Sequence, residues 1–156
     1  MVRKKPCAQS APVKHAKLSC QCTEAGCHAK VVNVRKAKLK ARGFRDLEHW
    51  VSDPSHIYIG RNMTFYVKGA VKSKWHNPYS VKKYGSKGAI EMYRQRLLTG
   101  VDEKGRKNTL LSELGELAGK ELGCWCHPEP CHGDVLADLL KNSALPTTEA
   151  PSCTRS

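Results

Sequence analysis

The stretch Gly119-Lys-Glu-Leu-Gly-Cys-Trp-Cys-His-Pro-Glu-Pro-Cys-His-Gly-Asp-Val-Leu136 sets three thiols and two imidazoles between two apolar runs. Upstream, Leu122, Cys124 and Cys126 alternate as a buried strand does; downstream, Val135, Leu136, Leu139 and Leu140 recur at helical spacing. Pro128 and Pro130 interrupt any regular element between them, so the chain reads strand, tight loop, helix. In a parallel α/β unit such a loop lies at the carboxyl end of a strand and the amino end of a helix. Unpaired N–H groups gather there, and ligands favour the place.

The same alternation of strand and helix extends toward the amino terminus. Val31-Val-Asn-Val34 reads as a first strand, and His56-Ile-Tyr-Ile-Gly60 as a second. Between them Phe44, Leu47, Trp50 and Val51 fall at helical spacing up to the break at Asp53-Pro54. Residues 62–87 read as a long connection, of the kind that is often functional in a small domain. Ala89, Ile90, Tyr93, Leu97 and Leu98 predict a helix with Gly100 as its C-cap; Leu110, Leu111, Leu114, Leu117 and Ala118 predict another. This order predicts a small single α/β domain whose largely parallel, Rossmann-like sheet is flanked by helices. Its expected limits are residues 31–141, after a basic, Cys-containing N-terminal arm (1–30) and before a disordered tail (142–156).

The net charge of +13 is unevenly placed. Residues 1–100 hold 21 Lys/Arg against 5 Asp/Glu, and the remainder hold 6 against 9. Such an excess favours polyanionic partners, nucleic acid or nucleotide phosphates, by raising encounter rates and adding salt-sensitive affinity. No apolar run is long enough for a transmembrane helix, and no membrane partner is expected. Met1-Val-Arg-Lys-Lys-Pro leads to no apolar signal segment, so the expected location is intracellular, cytoplasmic or nuclear rather than organellar. The eight cysteines then read as reduced thiols or metal ligands rather than disulfides.

Cys124, Cys126, Cys131 and His132 have the spacing Cys-x-Cys-x4-Cys-His, and Cys20, Cys22, Cys27 and His28 repeat it. Three thiolates and an imidazole are a full tetrahedral set for zinc. Two facts stand against that reading: structural zinc sites space their cysteines differently, and adjacent Cys and His side chains usually diverge. The alternatives for the second motif are buried structural thiols or a reactive cysteine. In the reactive case Cys131 sits at a helix amino end that lowers its pKa, with His127 or His132 as base, and Asp134 completes the catalytic candidates. His132-Gly133-Asp134 could instead bind phosphate or ribose, or Asp134 is simply a first-turn helix acid. Arg61, Lys74 and Asn77 are phosphate-binding candidates beside backbone turns, with Trp75 as a ring for base stacking or else a core residue. Lys36-Ala-Lys-Leu-Lys-Ala-Arg42 is either a phosphate-backbone contact or a solvated helix face.

Several of these pieces together resemble the small proteins grouped as domain of unknown function 4326. They are Val32-Asn-Val-Arg35, Tyr58-Ile-Gly-Arg61, Ser73-Lys-Trp-His-Asn-Pro78, the helix bearing Tyr93, and the opening stretch, in that order over about residues 31–140. The family usually has Gly where this chain has His76, and the Cys20–His28 motif lies outside the shared region. The resemblance implies a compact α/β domain and brings no settled activity. Two expectations remain: a zinc-stabilised module binding nucleic acid or nucleotide phosphates, or a Rossmann-like enzyme acting on a nucleotide or base through Cys131, His132 and Asp134.

Overall fold

The last strand in the sequence takes the middle of the sheet. A computed structural model describes residues 28–143, with β1 (Lys30–Asn33), α1 (Lys36–Ala41), α2 (Leu47–Val51), β2 (His56–Tyr58), α3 (Val81–Thr99), β3 (Glu121–Cys124) and α4 (His132–Ser143). The strand order is β1-β3-β2 and both pairings are parallel, with Leu122 opposite Val31 on one side and Ile57 on the other. A central parallel strand is covered on both faces, which is why Leu122, Gly123 and Cys124 are all buried.

Alternation along the strands divides the core in two. Ile59, Leu122 and Cys124 face α3 and α4, packing with Tyr93, Leu97, Val135 and Leu136. Val32, Val34 and Tyr58 face the other way, toward Leu39 of α1 and Leu47 and Trp50 of α2. At Gly123 a Cβ would stand 2.6 Å from Val34 Cγ1 and 2.7 Å from the Trp50 ring, so the indole occupies the space that a side chain there would need. Asp46 caps α2 by accepting a 2.8 Å hydrogen bond from the His49 N–H.

The three strands, the helix after residue 44 and the final helix lie where the sequence places them, and Gly100 closes α3 in the left-handed conformation at φ 68°. Two elements differ. Val81–Thr99 is two helical pieces that meet at a kink at Gly85 (φ 70°, ψ 170°), so the helix expected from Ala89 is preceded by a short helical turn from Val81. The helix expected over 110–118 is a run of 3-10 turns, with i→i+3 bonds such as Leu114 N to Leu111 O and Ala118 N to Gly115 O. Leucines at 110, 114 and 117 fit periods of 3.0 and 3.6 about equally over so short a span. The basic run after Arg35 forms α1, whose Lys36, Lys38 and Lys40 are exposed. The expected arm (residues 1–27 of it) and tail (from residue 144), with Cys20, Cys22 and Cys27, lie outside the described residues; His28 is exposed.

Candidate metal centre and adjoining cavity

β3 ends at Cys124, the chain turns through Trp125 and Cys126, and α4 starts one residue after Cys131. The amide of Asn33, at the end of β1, holds this loop by donating to the carbonyls of Trp125 (3.3 Å) and His127. As a result the Sγ atoms of Cys124, Cys126 and Cys131 lie within 4.8 Å of one another. His132 Nδ1 lies 3.9 Å from Cys124 Sγ and 3.8 Å from Cys131 Sγ. Ligand atoms around a tetrahedral zinc with bonds of about 2.3 Å stand about 3.5 to 4 Å apart; the three sulfurs form the candidate set, and His132 Nδ1 lies in that range of two of them.

The imidazole is fixed in the state a metal needs. Its Nε2 is 2.9 Å from the carbonyl oxygen of Ile59. A carbonyl can only accept, so Nε2 carries the proton and the Nδ1 lone pair faces the sulfurs. Burial pushes the His132 pKa down, which keeps the ring neutral. Tyr93 packs edge-on against it at 5.3 Å. Adjacent Cys and His converge here because Cys131 stands before the first helical residue, where its sulfur accepts the Gly133 N–H at 3.3 Å. Gly133 itself lets α4 come down on the sheet, since a Cβ would stand 2.9 Å from Ile59 Cδ1 and 3.0 Å from Val31 Cγ1.

Charge sharpens the same point. Hydrogen bonds from the Cys124 and Cys131 thiols hold the partly exposed Cys126 far below the usual thiol range. Cys124 is pushed up to about 11, chiefly because its S–H bonds to Cys126, and Cys131 is pushed up by its bonds to Cys124 and Cys126. One thiol ionises readily and its two buried neighbours resist. A cation at the centre would relieve that resistance and draw off the remaining protons.

Beside this corner lies a cavity of about 460 Å³, at the carboxyl edge of all three strands. Arg35 follows β1, Gly60 and Arg61 follow β2, and Cys124, Trp125 and Cys126 follow β3; His132 opens α4 at the same edge. Arg61 is braced by the carbonyls of Asn77 (2.9 Å from Nε) and Tyr79 (2.6 Å from Nη2). Trp125 donates to the Tyr58 hydroxyl at 2.7 Å, which donates to the Arg61 carbonyl at 2.8 Å.

Of the residues singled out in the sequence, Arg61, Asn77, Cys124, Cys126 and His132 border this cavity. Asn77 is committed to backbone: its amide donates to Ala89 O (2.9 Å) and accepts from Tyr79 N (2.8 Å). Asp134 caps α4 by accepting from Cys131 N at 3.0 Å, the ordinary role of a first-turn acid. Trp75 is 2% exposed and belongs to the core, which removes it as an open stacking ring. Lys74 pairs with Glu113 and Glu116 and borders a separate, shallower hollow with His76 and Arg96. Arg35 and Trp125 were missed as site residues. The signal was present in part: Arg follows the end of each outer strand, in Val-Asn-Val-Arg35 and Tyr-Ile-Gly-Arg61.

Fold and site together define a small three-layer parallel α/β module with a cysteine-rich corner over the carboxyl edge of its sheet. The chain belongs to the family described as Domain of unknown function (DUF4326), whose model matches residues 44–142. It is similar to an uncharacterised protein of Acanthamoeba polyphaga mimivirus, 32% identical over 94 residues that cover 54% of this chain and 66% of that protein. It is also similar to an uncharacterised 12.4 kDa protein in the nrdA-td intergenic region of Enterobacteria phage T4, 37% identical over 67 residues, 42% of this chain and 58% of the relative. The chain thus spans less than two thirds of the length of either relative. No solved structure matches it. Among the described residues, no helix is long and apolar enough to cross a membrane.

Proposed function

We propose that this protein is a small basic α/β module, stabilised by zinc at Cys124, Cys126, Cys131 and His132, that binds nucleic acid or nucleotide phosphates at the carboxyl edge of its sheet. The observation that carries the reading is the convergence of three thiols, two of them within 3.9 Å of the His132 Nδ1 lone pair, beside a cavity rimmed by Arg35 and Arg61. Three sulfurs and one nitrogen suit zinc, and four protein ligands leave no open position, which fits a stabilising ion better than a catalytic one. A nucleotide-acting enzyme built on Cys131, His132 and Asp134 draws less support. The Cys131 sulfur is 1% exposed as part of its residue, its thiol resists ionisation, and the Asp134 carboxylate is spent on the helix cap.

Mass spectrometry of purified full-length protein under native conditions tests the metal. We expect bound zinc, with one equivalent lost in a Cys124→Ser/Cys131→Ser variant; metal-free wild-type protein would overturn this half. Oligonucleotide and nucleotide binding across a salt series tests the other. Contacts by about four cations give a slope of log affinity on log salt of about −3 for a single strand, and salt-independent or absent binding would overturn it.

A further inference from the structure

We infer that residues 61–72 and the groove beside them form a base-stacking site for single-stranded nucleic acid, with Phe65 and Tyr66 as its rings. The inference rests on the proposed binding of nucleic acid and names its form and its place. Phe65 is 90% exposed and Tyr66 77% exposed, and the two rings pack edge to face at 5.0 Å and 82°. Large rings so fully open to water on a small domain mark a contact surface.

The segment that carries them is held firmly. Ser73 N bonds to Gly60 O at 3.2 Å across its base, and Met63 N bonds to Ala70 O at 2.9 Å higher up. Ala70 is fully buried in the core beside Trp50. Gly69, at φ 87°, lets the segment lie against α2: a Cβ would stand 2.9 Å from the backbone of Glu48. The rings are therefore displayed on a braced loop, and stacking on them costs little ordering entropy.

Charge says what stacks there. Tyr66 lines a groove of about 440 Å³ together with Arg35, Lys36, Lys68 and Trp125. Lys68 pairs with Glu48 at 3.0 Å, but the lysine side chain is largely exposed and the glutamate about half exposed, so salt screens the pair. Asp46, the acid in the lining, is already engaged by Arg45 and the His49 N–H. Arg35 and Trp125 also border the larger cavity beside the metal corner, so the two hollows meet at these residues. Cations interleaved with open ring faces match a strand whose phosphates and unpaired bases are both accessible. A duplex keeps its bases stacked on each other and offers these rings nothing. A second copy of this chain would bring like charges against the same cations.

Fluorescence anisotropy of the full chain with labelled oligothymidylate, and with the same strand in a duplex, tests this. We expect the single strand to bind about tenfold or more tightly than the duplex. Phe65→Ala and Tyr66→Ala should each weaken single-strand binding by about fivefold to a hundredfold. Both side chains are exposed, so the melting temperature should not move, and that is the control for folding. If the ring variants bind the single strand as the wild type does, or the duplex binds equally well, the inference falls while the binding of phosphates stands. If neither form binds in a salt-sensitive way, both fall. Sedimentation that finds a dimer dissolved by Phe65→Ala would also overturn it, by assigning the rings to self-association.

Discussion

Two stretches of this chain carry the signs of a site, the corner at 124–134 and the turn at 73–79, and they end differently. At the corner, side chains of several elements point at one place and their polar atoms face each other: three sulfurs within 4.8 Å, and an imidazole whose other nitrogen is taken by Ile59. At the turn, the polar atoms face the backbone. Asn77 serves Ala89 and Tyr79, and Trp75 fills the core while its carbonyl accepts the Tyr93 hydroxyl at 2.7 Å. The difference teaches that a polar residue beside a Pro or Gly turn is as often solving the chain's own hydrogen-bond problem as a ligand's. What marks a site is unspent chemistry: lone pairs and charges that the fold gathers without satisfying.

The contrast can be broken at either end. The largest effect should come from the corner, where removing the proposed zinc with a chelator should lower stability by about 5 kcal/mol, the linkage expected when the free ion stands near ten-thousandfold above its dissociation constant. Chemical denaturation with and without chelator measures it, and coincident curves would return the thiols to simple burial. Next comes Trp75→Ala, which should cost about 4 kcal/mol as a buried ring is replaced by a cavity. Zinc content should be unchanged in any folded fraction; altered oligonucleotide affinity with full stability would instead make Trp75 a ligand contact.

Smaller effects sharpen the picture. In metal-free protein the buried, neutral His132 has its pKa lowered, so the unfolded state binds more protons through the ordinary histidine range. Stability should therefore be present above about pH 6.5 and fall as pH drops below it, and His132→Gln should flatten that limb of a pH titration of melting temperature. Asp134→Ala should cost about 1 kcal/mol through loss of the cap, with zinc stoichiometry intact. Lys74→Gln should change stability by well under about 1 kcal/mol, since its partners are exposed. It should leave oligonucleotide affinity almost unmoved, whereas Arg35→Gln, at the meeting of the two hollows, should lower it measurably.

Much of the fold was legible because its signals are short-range. Pro128 and Pro130 between an apolar strand and an amphipathic helix announced the corner, and alternation in Val31–Val34 and Ile57–Ile59 announced the outer strands. The elements that escaped were those for which local pattern is degenerate. The short helical turn before the kink at Gly85 is too brief to carry a period, and leucines three or four apart do not distinguish a 3-10 turn from an α-helix. At the site, the thiols and His132 could be named from spacing, but Arg35 and the Phe65–Tyr66 pair could not. Their importance depends on which strand ends are neighbours and on which rings the core leaves out.

The sequence by itself determined the parallel α/β class, the thiols and imidazoles present at the corner and the basic balance of the first two thirds. These follow from residue type and near-neighbour spacing, which survive any packing. Tertiary structure alone decided that β3 lies between β1 and β2, so that Arg35, Arg61 and the cysteines meet at one edge. It also decided that Trp75 goes inside while Phe65 and Tyr66 stay out. Those outcomes depend on contacts between residues many positions apart, and the free energy of burying one ring rather than another is a property of the whole core.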